Sequence, residues 1–182
     1  IASQTSEIPV LITAVTVPVD AGLVQSNEAP GTNITGTNDM NPIREQMELI
    51  REFLPDVQTV GLLYTSSEDN SALQIQEVKA VLEEMNVGYV EQTVTGSNDV
   101  QQAVQSILGK CDALYIPTDN TLAASAALVG SAAQTAKIPV FWGEGNCVAE
   151  GGLASLGLDY YNLGRQTGEM AVEVLEGADP AV

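Results

Sequence analysis

Hydroxyl, amide and carboxylate side chains gather in four short stretches: Thr65-Ser-Ser-Glu-Asp-Asn-Ser71, Thr95-Gly-Ser-Asn98, Thr118-Asp-Asn-Thr121 and Gly143-Glu-Gly-Asn146. Each follows a run that reads as a β-strand, so all four fall at the carboxyl ends of strands. Open parallel sheets bind their ligands there. Glu68, Asp69, Asp119, Glu144 and Asp159 give this edge a negative sign, and no Lys or Arg stands among them. Acids withdrawn from water suit an ammonium, while free N–H groups at helix starts suit one carboxylate. An α-amino acid carries both groups, so a zwitterion matches the edge better than a phosphate or a sugar acid. Tyr64, Trp142, Tyr160 and Tyr161 offer an apolar wall, although a single aromatic more commonly joins a core. Helix capping alone also favours Ser, Thr, Asp and Asn at these places. Four such loops on one edge tilt the reading toward a polar cleft.

Catalysis finds less support. Asp119 and Glu144 would serve as an acid–base pair, but no second catalytic element accompanies them. The chain has no histidine, which removes Ser-His-Asp and Cys-His nucleophiles and most catalytic zinc sites. Neither Gly-x-x-x-x-Gly-Lys-Ser/Thr nor Gly-x-Gly-x-x-Gly occurs, so the usual nucleotide cradles are missing. No catalytic residue, cofactor or metal is expected.

The elements that must hold these loops alternate from residue 42 to residue 145. Asn41 reads as a helix cap with Pro42 in the first turn. Ile43, Met47, Ile50 and Leu54 then form an apolar face that Pro55 ends. Strands are expected over Val57–Tyr64, Val87–Val94, Ala113–Pro117 and Ile138–Gly143. Helices carrying Leu73 to Met85 and Val100 to Leu108 separate the first three strands. Thr121–Ala136 is Ala, Leu and Val nearly all round, and predicts a single buried helix. Crossovers of this length imply a parallel sheet with helices on both faces.

The ends belong elsewhere. Val10–Val15 and Asn33–Gly36 are short strand candidates before this domain. Leu153–Leu158 and a helix over Leu163, Thr167, Met170, Ala171 and Val174 follow it. Both sets are assigned to a second lobe, entered from either side of the first. The division expected is residues 1–41 in an amino-terminal lobe, 42–145 as a complete carboxyl-terminal lobe, and 146–182 as crossover and return. Ile1–Glu7 reads as the tail of a helix whose start is missing.

Six basic residues against twenty-four acidic ones give a formal charge of −18. That field repels nucleic acid and anionic bilayers. No apolar run approaches the ~18 residues of a membrane span. Cys111 and Cys147 fall at opposite edges of a parallel sheet, too far apart for a disulfide, and are expected as unpaired thiols.

Several segments together resemble a known family. They are Ile12-Thr-Ala-Val-Thr16 with Pro18, Pro30-Gly-Thr-Asn-Ile-Thr-Gly36, Tyr115-Ile-Pro-Thr-Asp-Asn-Thr121, Gly151-Gly-Leu153 and Asp159-Tyr-Tyr-Asn-Leu-Gly-Arg-Gln-Thr-Gly168. In these the chain looks like the ABC transporter substrate-binding proteins of the tryptophan/tyrosine-importer type, along essentially its whole length. The resemblance implies a type I periplasmic-binding fold: α/β, doubly wound parallel sheets in two lobes that close on a ligand. The amino-terminal lobe would be incomplete in this chain. It implies Thr13 and Thr16 as ligand contacts from that lobe. Ser66, Asn70, Ser71, Asp119, Asn120, Glu144 and Asp159 would follow from the other strand ends and crossovers, with Tyr160 as an aromatic contact. Asp119 or Asp159 would hold the ammonium. Where family members often carry an acid, this chain has Val17. The function implied is the extracellular solute-binding component of an ABC importer, taking an amino acid, aromatic ones included. ABC permease subunits would be its partners, and the complete protein a monomer, periplasmic or lipid-anchored at the cell surface. A flavodoxin-like small enzyme or a ligand-sensing regulatory domain is the competing reading.

Overall fold

The computed structural model describes residues 4–182 and divides them into two compact units. Residues 41–157 form one unit. Residues up to Met40 together with Leu158–Val182 form the other. The chain therefore passes between them at Met40–Asn41 and again at Gly157–Leu158.

The larger unit is doubly wound. Its strands are β3 (Thr59–Thr65), β4 (Gly88–Val94), β5 (Ala113–Ile116), β6 (Val140–Trp142) and β7 (Ala154–Ser155), all parallel in the order β4-β3-β5-β6-β7. β1 and β2 belong to the smaller unit. On one face α1 (Ile43–Phe53) and α2 (Asp69–Glu84) bury Met47, Ile50, Ile75, Val78 and Leu82 against Val60, Leu62 and Tyr115. On the other, α3 (Val100–Leu108), the short α4 (Asn120–Ala123) and α5 (Ala126–Ala136) bury Val104, Ile107, Leu122 and Val129 against Leu63, Leu114, Ile116 and Trp142. Strand residues therefore alternate between two cores, which is why β3 and β5 read as nearly continuous apolar runs. Each such side chain taken fully from water contributes roughly 1.5–3 kcal/mol.

Gly130 marks where α5 meets the 3₁₀ turn Gly145–Glu150. A Cβ there would stand 2.0 Å from the Glu150 carbonyl oxygen, so no larger residue fits.

Three expectations change here. Leu153–Leu158 does not leave for a second lobe: Ala154 and Ser155 pair with Phe141 and Trp142 as the edge strand β7. The larger unit accordingly runs to Gly157, and the return begins at Leu158 instead of residue 146. Thr121–Ala136 is broken at Ala124–Ser125, where Ser125 leaves helical geometry (φ −112°, ψ 13°). α5 then buries one face only, through Ala126, Val129, Gly130 and Ala133. Asn41 is not a helix cap either. Pro42 takes that position, and the Asn41 amide turns to Gln74 and Thr118.

The smaller unit contains β1 (Val10–Ile12) and β2 (Ile34–Gly36), a parallel pair in register Val10↔Ile34, and α6 (Tyr160–Leu175). Gly36 (φ +147°) is required: a Cβ there would fall 1.9 Å from the Ile12 carbonyl oxygen. Of the expected leading helix tail, Ile1–Ser3 lie outside the described residues, and Thr5–Ile8 are irregular. Among the described residues no helix is long and apolar enough to cross a membrane.

Candidate ligand-binding site

The winding direction reverses between β3 and β5. The helix leaving β3 covers one face and the helix entering β5 covers the other. The loops that leave the carboxyl ends of these strands start toward opposite faces there, which is where open parallel sheets take their ligands. Six of the expected residues come together there: Ser66, Asn70, Ser71, Asp119, Asn120 and Glu144.

Asp119 joins the two strand ends. Its Oδ2 accepts from the Thr65 N–H at 2.6 Å, and its Oδ1 from the Thr65 hydroxyl at 2.8 Å and the Leu122 N–H at 2.9 Å. It is 2% exposed. Its oxygens are committed to the chain, which does not fit the expected role of holding a ligand's ammonium. Glu68 makes a matching clasp from the β3–α2 loop. Its two oxygens accept from the N–H groups of Asn120 and Thr121, the Asn120 amide and the Thr121 hydroxyl, at 2.8–3.0 Å. Burial pushes the Glu68 carboxyl up, but these four donors outweigh it and hold it below the ordinary carboxylate range.

Asn70 and Ser71 each donate to the Thr118 carbonyl at 3.0 Å. Behind them Gln74 is fully buried, and its amide oxygen accepts from Asn41 (3.0 Å) and the Thr118 N–H (3.3 Å). Gly143 ends the next strand so close that a Cβ would lie 2.8 Å from Asn41 Nδ2, Pro117 C and Thr118 N. This brings Glu144 beside the same loops, half-buried and with no side-chain cap bond. Ser66 and Asn120 are exposed at the rim. Ser71, wholly buried, supports the rim from beneath. The Thr95–Asn98 loop leaves the outer strand β4 and is closed by Thr95 donating to Asp99, whose carboxyl is held low by those bonds.

The smaller unit supplies a second polar edge, at the carboxyl ends of β1 and β2. Ala14 adopts left-handed geometry (φ 53°), a turn that costs a non-glycine residue about 1 kcal/mol. Thr13 and Thr16 flank it. The Thr13, Thr37 and Thr167 hydroxyls contact one another at 3.4, 2.7 and 3.0 Å. Thr16 and Tyr160 donate to the two oxygens of Asp39 at 2.8 and 2.9 Å. Asp159 caps α6, accepting from the Asn162 N–H and side-chain amide, and lies exposed.

Two helix starts differ from expectation. The Asn120, Thr121 and Leu122 N–H groups of α4 meet Glu68 and Asp119, and the Asn162 N–H of α6 meets Asp159. The start of α2 at the β3 strand end carries no side-chain cap, so its N–H groups, together with hydroxyls and side-chain amides, remain to meet a carboxylate. Thr37, Asp39, Asn41, Gln46, Gln74 and Thr167 were not anticipated. Thr37 and Asp39 follow the carboxyl end of β2, so the strand-end rule applied to that strand would have found them.

Of the aromatics, Trp142 is core at 2% exposure, Tyr161 is 81% exposed, and Tyr64 donates to Glu91 at the surface. Cys111 and Cys147 are free and buried; burial pushes both thiols up to about 11. Among the described residues no three His, Cys, Asp or Glu side chains group as a metal site.

A doubly wound parallel sheet and a parallel pair, each with polar strand ends, accord with the α/β type I periplasmic-binding fold. The profile of the ABC transporter substrate binding proteins matches residues 1–182, and the chain belongs to that family. It is 42% identical over 175 residues to a tyrosine-binding protein of Clostridioides difficile (strain R20291), covering 96% of this chain and 51% of that one. It resembles the structure of an ABC domain in complex with L-Trp from Streptococcus pneumonia, with a TM-score of 0.92 at 42% identity. That match covers 99% of this chain and 61% of the other. A ligand-free, open structure of a substrate binding protein with adhesive properties from Clostridium difficile matches with a TM-score of 0.78 at 43% identity. It covers 98% of this chain and 61% of that one. The chain thus spans between half and two thirds of these relatives.

Proposed function

We propose that this chain belongs to the solute-binding component of an ABC importer, and that its ligand is an amino acid with an aromatic side chain. The observation that carries this reading is the gathering of polar side chains at the β3/β5 switch point. Side chains from the ends of β3, β5 and β6 meet there and present hydroxyls, amides and a partly exposed acid, with no basic group among them. Two relatives sharing about two fifths of the sequence lend support, one named for tyrosine and the other holding L-Trp.

In this reading Ser66, Asn70, Asn120 and Glu144 are the contacts from the larger unit. Thr13, Thr16 and Tyr160 are those from the smaller. Asp119, Ser71 and Asp159 position them: Asp119 and Ser71 hold the β5–α4 loop, and Asp159 starts α6. A bound ligand favours the conformation it binds best, and a permease recognises that conformation. The protein works outside the cytoplasm, periplasmic or lipid-anchored at the surface, as a monomer and without catalysis.

A thermal-shift panel on the full-length protein tests this. It comprises the twenty amino acids, several sugars and several nucleosides. L-Tryptophan or L-tyrosine should raise Tm by several degrees, as a ligand at about 100 times its Kd adds about 2.7 kcal/mol. A shift from a sugar or nucleoside alone would reject the reading.

A further inference from the structure

Only two acids are buried among the described residues, Asp119 and Asp39. They are satisfied very differently. Asp119 receives two backbone N–H groups and a hydroxyl. Asp39, 3% exposed, receives the hydroxyls of Thr16 and Tyr160, one on each oxygen. An ionised carboxylate has about four lone-pair sites, and a buried one is held by several donors, as Asp119 is, or by an opposite charge. Among the described residues Asp39 has no ion pair. The three ion pairs among the described residues are Arg44–Glu84, Lys79–Glu91 and Arg165–Glu169. Arg165 is the single basic residue in the unit that contains Asp39, and it is engaged with Glu169.

The position is equally specific. Asp39 follows the carboxyl end of β2 by three residues, beside the Thr13 and Thr16 turn that follows β1. Two rotatable hydroxyls fix the plane of its carboxylate and contribute no charge. An ammonium would bring the missing positive charge and three N–H donors.

We infer that Asp39, and not Asp119 or Asp159, is the group that binds the ammonium of the ligand. The inference rests on the amino-acid reading above and assigns one of its two ends. It also places the charge close to the chain crossings. Asp39 lies one residue before the segment Met40–Asn41, and its partner Tyr160 lies two residues after Leu158. An ammonium bound here acts on the residues that lead into both connections.

The test compares L-tryptophan and L-tyrosine with their des-amino analogues, indole-3-propionate and 3-(4-hydroxyphenyl)propionate, by calorimetry on the full-length protein. Wild type should prefer each amino acid over its analogue by at least about thirtyfold, as expected for a desolvated charge pair. Asp39→Asn should reduce that preference to about threefold or less and leave analogue affinity nearly unchanged. A preference that survives in Asp39→Asn, or an equal loss of both ligands, overturns the inference while leaving the amino-acid reading standing. Wild type that binds no amino acid overturns both. Should Asp39→Asn fail to fold, Asp39→Glu decides. It keeps the charge but moves it by one methylene relative to the Thr16 and Tyr160 hydroxyls, so the preference should fall at least about fivefold with analogue affinity nearly unchanged, and a preference equal to that of wild type would overturn the inference.

Discussion

Replacing Asp119 by alanine should damage the fold far more than the ligand contacts. The carboxylate joins Thr65, at the end of β3, to Leu122 in the first turn of α4, through bonds of 2.6, 2.8 and 2.9 Å. Thr65 and Leu122 are 1% and 0% exposed, so water does not replace the lost acceptor. A buried donor left unsatisfied costs about 1–3 kcal/mol. Two N–H groups are stranded, while the Thr65 hydroxyl can rotate, and the expected loss is about 3–4 kcal/mol. That is a large share of the roughly 5–15 kcal/mol that holds a typical domain. Asp119→Ser separates the two halves of the clasp. Serine still caps α4 but is too short for Thr65, so it should recover about 1 kcal/mol relative to alanine. Urea unfolding of the full-length protein, followed by the fluorescence of the buried Trp142, reads both values. A loss below about 1 kcal/mol for Asp119→Ala, or serine no better than alanine, would refute the clasp. If such a stable variant also lost amino-acid binding, Asp119 would be a direct ligand contact.

Other consequences are accessible by simple means. Glu68 has a lowered carboxyl pKa in the folded protein. Its stabilisation is therefore present above the unfolded carboxylate value of about 4.3 and lost as pH falls through the folded value. Glu68→Gln should narrow the difference in Tm between pH 7 and pH 3, and an unchanged difference would remove the clasp's charge from the account. Gly130→Ala forces a Cβ onto the Glu150 carbonyl and should cost at least about 2 kcal/mol in a thermal melt. A neutral result would mean that α5 and the turn can separate freely. With both thiols pushed up to about 11, native Cys111 and Cys147 should react with a disulfide reagent at pH 8 at least about a hundredfold slower than after unfolding. Equal rates would contradict their burial.

The parts of the fold that could be read from the sequence are those whose side chains face a core. Val60, Leu62 and Leu63 in β3, and Ile75, Val78 and Leu82 in α2, announce their elements because burial demands apolar residues at those spacings. β7 carries no such pattern. Ala154 and Ser155 are a two-residue edge strand, placed by the turn through Gly151–Gly152 and by pairing with β6, and pairing leaves no mark on composition. The break at Ala124–Ser125 was hidden for a related reason: alanine-rich sequence favours helix on either side of it.

The site was legible as an edge and not as a set of roles. Strand order places the ends of β3 and β5 side by side, which brings Ser66, Asn70, Asp119 and Asn120 to one edge. An acid at a strand end looks the same whether it meets a ligand or a backbone N–H. Only coordinates separate Asp119, bound to Thr65 and Leu122, from Glu144, whose side chain caps nothing. Gln46 shows a further limit. It lies on the apolar face of α1, yet it is buried, accepts from Tyr115 at 2.6 Å and donates to the Leu156 carbonyl at 2.7 Å. A glutamine in an amphipathic pattern carries no sign that it is a buried tie.

Equilibrium dialysis of radiolabelled L-tryptophan and L-tyrosine against the full-length protein bears most directly on all of this. Saturable uptake of at least one of them at one site per chain, with Kd about micromolar or tighter, and competition by the other amino acid but not by glucose or adenosine, is the outcome these strand ends predict. No retention of either amino acid by folded protein would contradict it.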